Sequence, residues 1–343
     1  MVRGSRPAPR ESDPNEGESM LRRLLLAAAL VLTTAACQDA SDSASSADPA
    51  TGGFWSTTPQ TDAQRLEMLR RARNIDPCAL LPNQKLREVG AVVSVDNTQP
   101  SSCKAIIGSA EPGKGTTLVW HVVAPPTSTP WEDKDAAIER VGDVTVSLLD
   151  DRKSMTDAQL REQGHRTCYA EARFPATAEF WLDVQGPIGG DPCAVARSLV
   201  RTALTEWRIE PPHGTSPVTA RSILTGHDPC AVAPALGISV PAGEQQLHKC
   251  EFGFRGGNVV INYEYQDGNP AGPGEPAFTV GPRPVHQVAA AAGDTRVYSA
   301  PVGPPLRPAV TGQALPTRTP VVSAVGKPDA VEEVMRRLLP MLP

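Results

Sequence analysis

Apolar and polar positions alternate in three stretches of this chain. In TTLVWHVV (116–123), Leu118, Trp120 and Val122 share one face. In TAEFWLDV (177–184), Phe180, Leu182 and Val184 oppose Glu179 and Asp183. In NVVINYEY (258–265), Val259, Ile261, Tyr263 and Tyr265 oppose Val260, Asn262 and Glu264. Period-two alternation with one polar face predicts antiparallel strands covered on one side. Two later segments change period. In CAVARSLVRTALTEW (193–207), Ala196, Leu199, Val200, Ala203 and Trp207 recur at helical spacing, as do Val331, Val334, Met335 and Leu338 in KPDAVEEVMRRLLPML (327–342). Strands closed by a helix, twice, predict an α+β chain of two tandem domains.

Soft stretches divide the chain. EPPHGTSP (210–217) carries three prolines and a glycine and reads as a linker. It separates a first domain, 63–209, from a second, degenerate copy, 218–343. Residues 37–62 are rich in Ser, Ala, Asp and Gly and read as a flexible tether. Residues 1–36 read as an export signal with an upstream extension, the start being Met20: Arg22 and Arg23, the apolar run LLLAAALVL (24–32), then TTAAC ending at Cys37. The run is shorter than the roughly 20 residues that span a bilayer. Thr34-Ala35-Ala36-Cys37 resembles the lipobox of bacterial lipoproteins, although Thr34 stands where Leu is usual. That resemblance implies diacylation of Cys37 and an address on the outer face of the cell membrane. An ordinary secretory signal ending near a cysteine is the alternative.

Charge and cysteines agree with export. Removing 1–36 takes away five Arg and four acids, leaving 28 basic and 34 acidic residues in 307. A net charge of −6 with no basic cluster argues against a nucleic-acid partner. Beyond Cys37 remain six cysteines, an even number suited to an oxidising compartment.

Three of the six lie in one repeated phrase: DPCALL (76–81), DPCAVA (191–196) and DPCAVA (228–233). Asp is a favoured N-cap and Pro a favoured first helical residue, so Asp76, Asp191 and Asp228 are each expected to open a helix. Cys78 and Cys103 are 25 residues apart, Cys168 and Cys193 also 25, Cys230 and Cys250 20. Six cysteines allow fifteen pairings, so spacing alone does not decide. Laying 327–339 on 190–202 places Asp329 near Cys193 and 306–311 near Cys168. Both cysteines are missing together from the second copy, as a 168–193 bridge requires. His227, Cys230, His248 and Cys250 form the competing set, with ligand types suited to zinc. The exported context favours a disulfide there, and neither a metal nor another cofactor is expected.

DPCALL, a cysteine 25 residues on, and DPCAVA opening the last helix of the first domain resemble the actinobacterial lipoprotein family called domain of unknown function 3558, itself related to extracellular sensor domains of mycobacterial serine/threonine kinases. The resemblance covers roughly 64–208. It implies a curved antiparallel sheet flanked by helices, sometimes with a groove, and no established activity.

Catalytic motifs are weak. GSAEPGKG (108–115) nearly matches a phosphate loop, but Gly115 stands where Ser or Thr should bind magnesium, and a strand follows; a hairpin loop is expected. Ser101-x-x-Lys104 matches S-x-x-K without its companion motifs. The leading expectation is a non-catalytic binding or sensing module. It would be anchored to the membrane by its lipid and meet an envelope lipid, glycan or protein. A structural or protein-interaction lipoprotein is the alternative, and a cell-wall or lipid hydrolase the third. Trp120, Trp131, Trp181 and Tyr263 are the candidate groove aromatics.

Overall fold

The computed structural model describes residues 53–127, 135–268, 270, 274–290, 293–306 and 317–343. Cys37, the signal and most of the expected tether lie outside them. Two antiparallel sheets are present, each followed by a helix, so the α+β reading with two sheet domains holds.

The first sheet comprises β1 (Val92–Gln99), β2 (Ser102–Ile107), β3 (Thr116–Val123), β4 (Ala137–Val141), β5 (Val144–Asp150), β6 (His165–Arg173) and β7 (Glu179–Pro187). Their spatial order is β1-β2-β3-β7-β6-β5-β4. The alternation works as read: Leu118, Trp120 and Val122 are buried beside Phe180, Leu182 and Val184 on the neighbouring strand. Four helices accompany this sheet: α1 (Asp62–Asn74), α2 (Asn83–Val89), α3 (Asp157–Gln163) and α4 (Pro192–Trp207). The apolar stripe of α4, from Ala196 to Trp207, is buried against the sheet. Residues 108–115 link β2 to β3 as a hairpin loop.

The second sheet comprises β8 (Lys249–Phe254), β9 (Gly257–Asp267), β10 (Phe278–Val280), β11 (Arg283–Ala290), β12 (Arg296–Pro301) and β13 (Arg318–Gly326), closed by α5 (Pro328–Leu338). Its order, read from β8, is β8-β9-β13-β12-β11-β10. That is the order β2-β3-β7-β6-β5-β4 of the first sheet with the edge strand β1 omitted. Cys250 occupies the second position of β8, as Cys103 does of β2. The strand and helix equivalent to those carrying Cys168 and Cys193 are β12 and α5, which hold no cysteine.

The three disulfides are Cys78–Cys103, Cys168–Cys193 and Cys230–Cys250, with Cα separations of 5.3, 5.1 and 5.1 Å. The zinc alternative at Cys230 and Cys250 therefore has no free thiolate.

Two expectations need correction. Only Asp191 opens an α-helix. Asp76 opens a four-residue 3-10 turn, Pro77–Leu80, and Asp228 caps a turn that leads to another, Pro234–Leu236. The sixth residue after the aspartate is Pro82 in the first copy, Pro234 in the third and Arg197 in the second. A proline there would clash with the cysteine carbonyl four residues back in a continuing α-helix. The tether also ends earlier than expected. Phe54–Ser56 form a 3-10 turn, and Trp55 is buried edge-on against Trp207, 5.3 Å between ring centroids.

Candidate functional site

The four candidate aromatics do not share a groove. Trp120 is wholly buried in the first core, its Nε1 donating to the Pro77 carbonyl at 2.6 Å. Tyr263 lies in the second core, its hydroxyl donating to the Asp228 carbonyl at 3.4 Å. Trp181 is on the outer face of β7, 39% exposed, and its Nε1 donates to Glu179. Trp131 falls outside the described residues.

The structure instead forms an apolar cleft of about 250 Å³ around the first DPCALLP segment. One wall is Ala79, Leu81 and Pro82 with Leu86 of α2 and Val95 of β1; the other is Ile209 and the Pro211–Val218 stretch. The local folding follows from Asp76. Its buried side chain accepts from the backbone N–H groups of Cys78 and Ala79 (3.0 and 3.2 Å), which caps the turn. It also accepts from the N–H groups of Gly214 (3.0 Å) and Ser216 (2.8 Å) and from the Thr219 hydroxyl. The backbone N–H of Asp76 donates to Pro211 at 2.7 Å. The stretch read as a linker is thus pinned onto the motif and becomes a wall of the cleft.

The lip of the cleft is held under local strain. Glu210 adopts φ +47°, a left-handed conformation uncommon for a non-glycine residue. Its side chain accepts from Trp55 Nε1 at 3.1 Å and Arg71 at 3.2 Å, and these bonds fix the turn. Ile209 beside it is 72% exposed, an aliphatic side chain standing free at the rim. Among the lining residues only Asn83, Glu206, Thr215 and Ser216 carry polar side chains besides the disulfide-bonded Cys78. The residues of the turn and of the linker stretch were legible as punctuation; that they face one another was not.

The two sheets also meet. Their described residues belong to one compact unit. The Gln99 amide bonds both backbone groups of Tyr265, donating to its carbonyl at 3.1 Å and accepting from its N–H at 2.9 Å. Arg318 pairs with Asp96. Arg73, buried on α1, donates to the Leu247 and Gln246 carbonyls and to Asp228, each at 3.0 Å. His213 Nε2 lies 3.2 Å from the Arg73 carbonyl. Burial pushes the His213, His121 and His248 imidazoles down from their ordinary value, His248 to about 3, where nearby Arg73 and His213 add to the effect.

Nucleophilic chemistry finds little support in this arrangement. Ser102 Oγ lies 2.5 Å from His121 Nδ1, yet His121 bonds no carboxylate among the described residues. The orienting third member of a triad is missing there. Ser101 and Lys104 belong to the turn and strand of the β1–β2 hairpin, not to a helix start. Among the described residues no helix is long and apolar enough to cross a membrane, and no group of three metal-ligating side chains converges. Comparison with protein-family models, with curated proteins and with solved structures found no match to this chain.

Proposed function

We propose that the chain is a lipid-anchored, non-catalytic binding module of the cell envelope, and that the cleft over DPCALLP takes an aliphatic group such as an acyl chain. The apolar cleft carries this reading. Ligand pockets are concave and mostly apolar with a few convergent polar groups, and at about 250 Å³ this one sits just below the usual ~300–1,000 Å³ range. That size suits one chain or a branched aliphatic group better than a whole lipid. Supporting the address are the signal pattern ending at Cys37 and three disulfides, which persist where the environment is oxidising. The resemblance to the domain of unknown function 3558 lipoproteins belongs to the same proposal.

Two measurements test it. Labelled fatty acid should be incorporated by the wild type and not by Cys37→Ala; an unlabelled wild type released to the medium refutes the anchor. Native mass spectrometry of the protein from an envelope-bearing host should find a copurifying lipid that Val218→Trp, which fills the cleft, displaces. A protein that never carries or binds a lipid refutes the site, whatever the anchor does.

A further inference from the structure

The repeat leaves one strand position open. Cys103 and Cys250 hold the same place in β2 and β8, so Ser102, Lys104 and Ile106 correspond to Lys249, Glu251 and Gly253. Both strands bond their inner neighbour in the same phase. The Val122 N–H donates to the Ser101 carbonyl at 2.9 Å, and the Tyr263 N–H donates to the His248 carbonyl at 2.8 Å. Bonding alternates along an antiparallel strand. The backbone groups of the corresponding residues therefore point away from β3 in one sheet and from β9 in the other.

In the first sheet β1 meets them, with Asp96 opposite Lys104 and Ser94 opposite Ile106. In the second sheet β8 is the edge, and no strand of the described residues lies beyond it. The outward backbone groups of Lys249, Glu251 and Gly253 have no hydrogen-bond partner among the described residues. An open edge is ordinary by itself, and Lys249 and Glu251 supply the charges that usually guard one. A cavity of about 470 Å³ sets this edge apart. Glu251, Phe252 and Gly253 line it on one side, Pro126 and residues 238–241 on the other. The Thr127 N–H donates to the Gly243 carbonyl at 2.8 Å and ties those far walls together.

The occupant follows from β1. Side chains of an added strand alternate between the two faces. Val95, between Ser94 and Asp96, is buried in the first core; its counterpart would meet Phe252, Ile238 and Val240, which belong to the second core or pack on it. Asp96 stands opposite Lys104 with the opposite charge, so the complement to Glu251 is basic. Glu251 already accepts from Lys249 at 2.8 Å and Asn258 at 2.7 Å, but it is exposed, and a carboxylate has sites for further donors. The far walls leave room for a single extended segment and would obstruct the whole sheet of a second copy. We propose that the β8 edge takes an extended segment of a partner protein as an added strand, with a basic residue opposite Glu251 and an apolar residue on each side of it.

The test is amide-resolved hydrogen exchange by NMR on the full-length chain with its disulfides formed. Without peptide, the Glu251 and Gly253 amides should exchange fast, while those of Cys250 and Phe252, bonded to β9, are protected. The probe is Ac-TVKVT-NH2; the controls are Ac-TVEVT-NH2 and the probe N-methylated at its lysine and threonines. At about ten times its Kd the probe should slow both outward amides about tenfold. Gly253→Pro should abolish binding without unfolding the sheet, because β9 does not use that N–H and a Cβ there meets only the Gly257 carbonyl, at 3.9 Å. Glu251→Lys should reverse the preference, Ac-TVEVT-NH2 then binding more tightly. The proposal is overturned if the probe leaves both amides unprotected, if either control peptide binds the wild type as tightly, or if Gly253→Pro binds like the wild type. Protection without peptide that rises with protein concentration also overturns it, since the occupant is then a second copy.

Discussion

The same aspartate, written three times in the same phrase, should have very unequal weight. Asp191 is exposed and caps α4 through a single bond to the Ala194 N–H at 3.1 Å. Removing such a cap costs about 1 kcal/mol. Asp76 is fully buried and accepts from five donors, two in its own turn and three in the 214–219 stretch. Asp76→Ala loses the same local cap, about 1 kcal/mol, and leaves three further donors to find new partners. An orphaned donor costs about 1–3 kcal/mol, and the low end applies because Gly214 is itself exposed to water. The expected loss is therefore about 4 kcal/mol, against about 1 for Asp191→Ala. Urea denaturation followed by tryptophan fluorescence and circular dichroism measures both. Trp120, bonded to Pro77, reports on the affected turn. Asp76→Asn, which keeps one acceptor oxygen, should fall between. Losses for Asp76→Ala and Asp191→Ala that agree within about 1 kcal/mol would refute the hub reading, since the caps alone would then account for both.

Removing the second bridge with Cys168→Ser and Cys193→Ser should cost about 3.5 kcal/mol, from loop closure over a separation of 25 residues; non-reducing peptide mapping should find all three pairs, and any other pairing contradicts the structure. Acid should also weaken the junction between the sheets. The His248 pKa is lowered from 6.5 to about 3, so its contribution is complete above 6.5 and is lost as the pH falls toward 3. Between pH 7 and 5 that loss is about 2 kcal/mol. His213 and His121 act in the same direction. His248→Phe should flatten the pH dependence by that amount, and an unchanged slope shows that His248 does not titrate across folding.

What could be read from the chain was local or periodic. Leu118, Trp120 and Val122 declare a strand face without any knowledge of the neighbour. The α4 and α5 stripes declare buried helices in the same way. The Cys168–Cys193 bridge was legible for a different reason: two cysteines absent together from a repeat testify to their contact. Trp55 was missed because a lone aromatic pair in a polar tract has no period; its partners, Phe174 and Trp207, are more than a hundred residues away. The prolines at 82 and 234 were visible and would have limited the first and third DPC helices to single turns.

The cleft was hidden by the same distance. Asp76 meets its outer donors 138 to 143 residues later, and no pattern within either stretch marks the pairing. Sheet order explains why the first and third copies of the phrase behave alike while the second differs. Asp76 and Asp228 each precede the strand that carries their disulfide partner, β2 or β8, and each chain turns at a proline six residues on. Asp191 instead follows the last strand of its sheet and starts the closing helix, where nothing interrupts α-helical bonding. In the second half that closing position is taken by Lys327-Pro328-Asp329, which keeps the proline, drops the cysteine, and leaves the N-cap without a side-chain hydrogen bond. The first and third copies both face the junction: Asp76 binds the 214–219 stretch, and Asp228 binds Arg73 of α1, three residues before Asp76. A motif that first reads as a disulfide staple thus also places two acceptors where the halves meet, Asp76 buried and Asp228 partly exposed, and those two bonds bracket the segment from Arg73 to Asp76 that leads into the cleft.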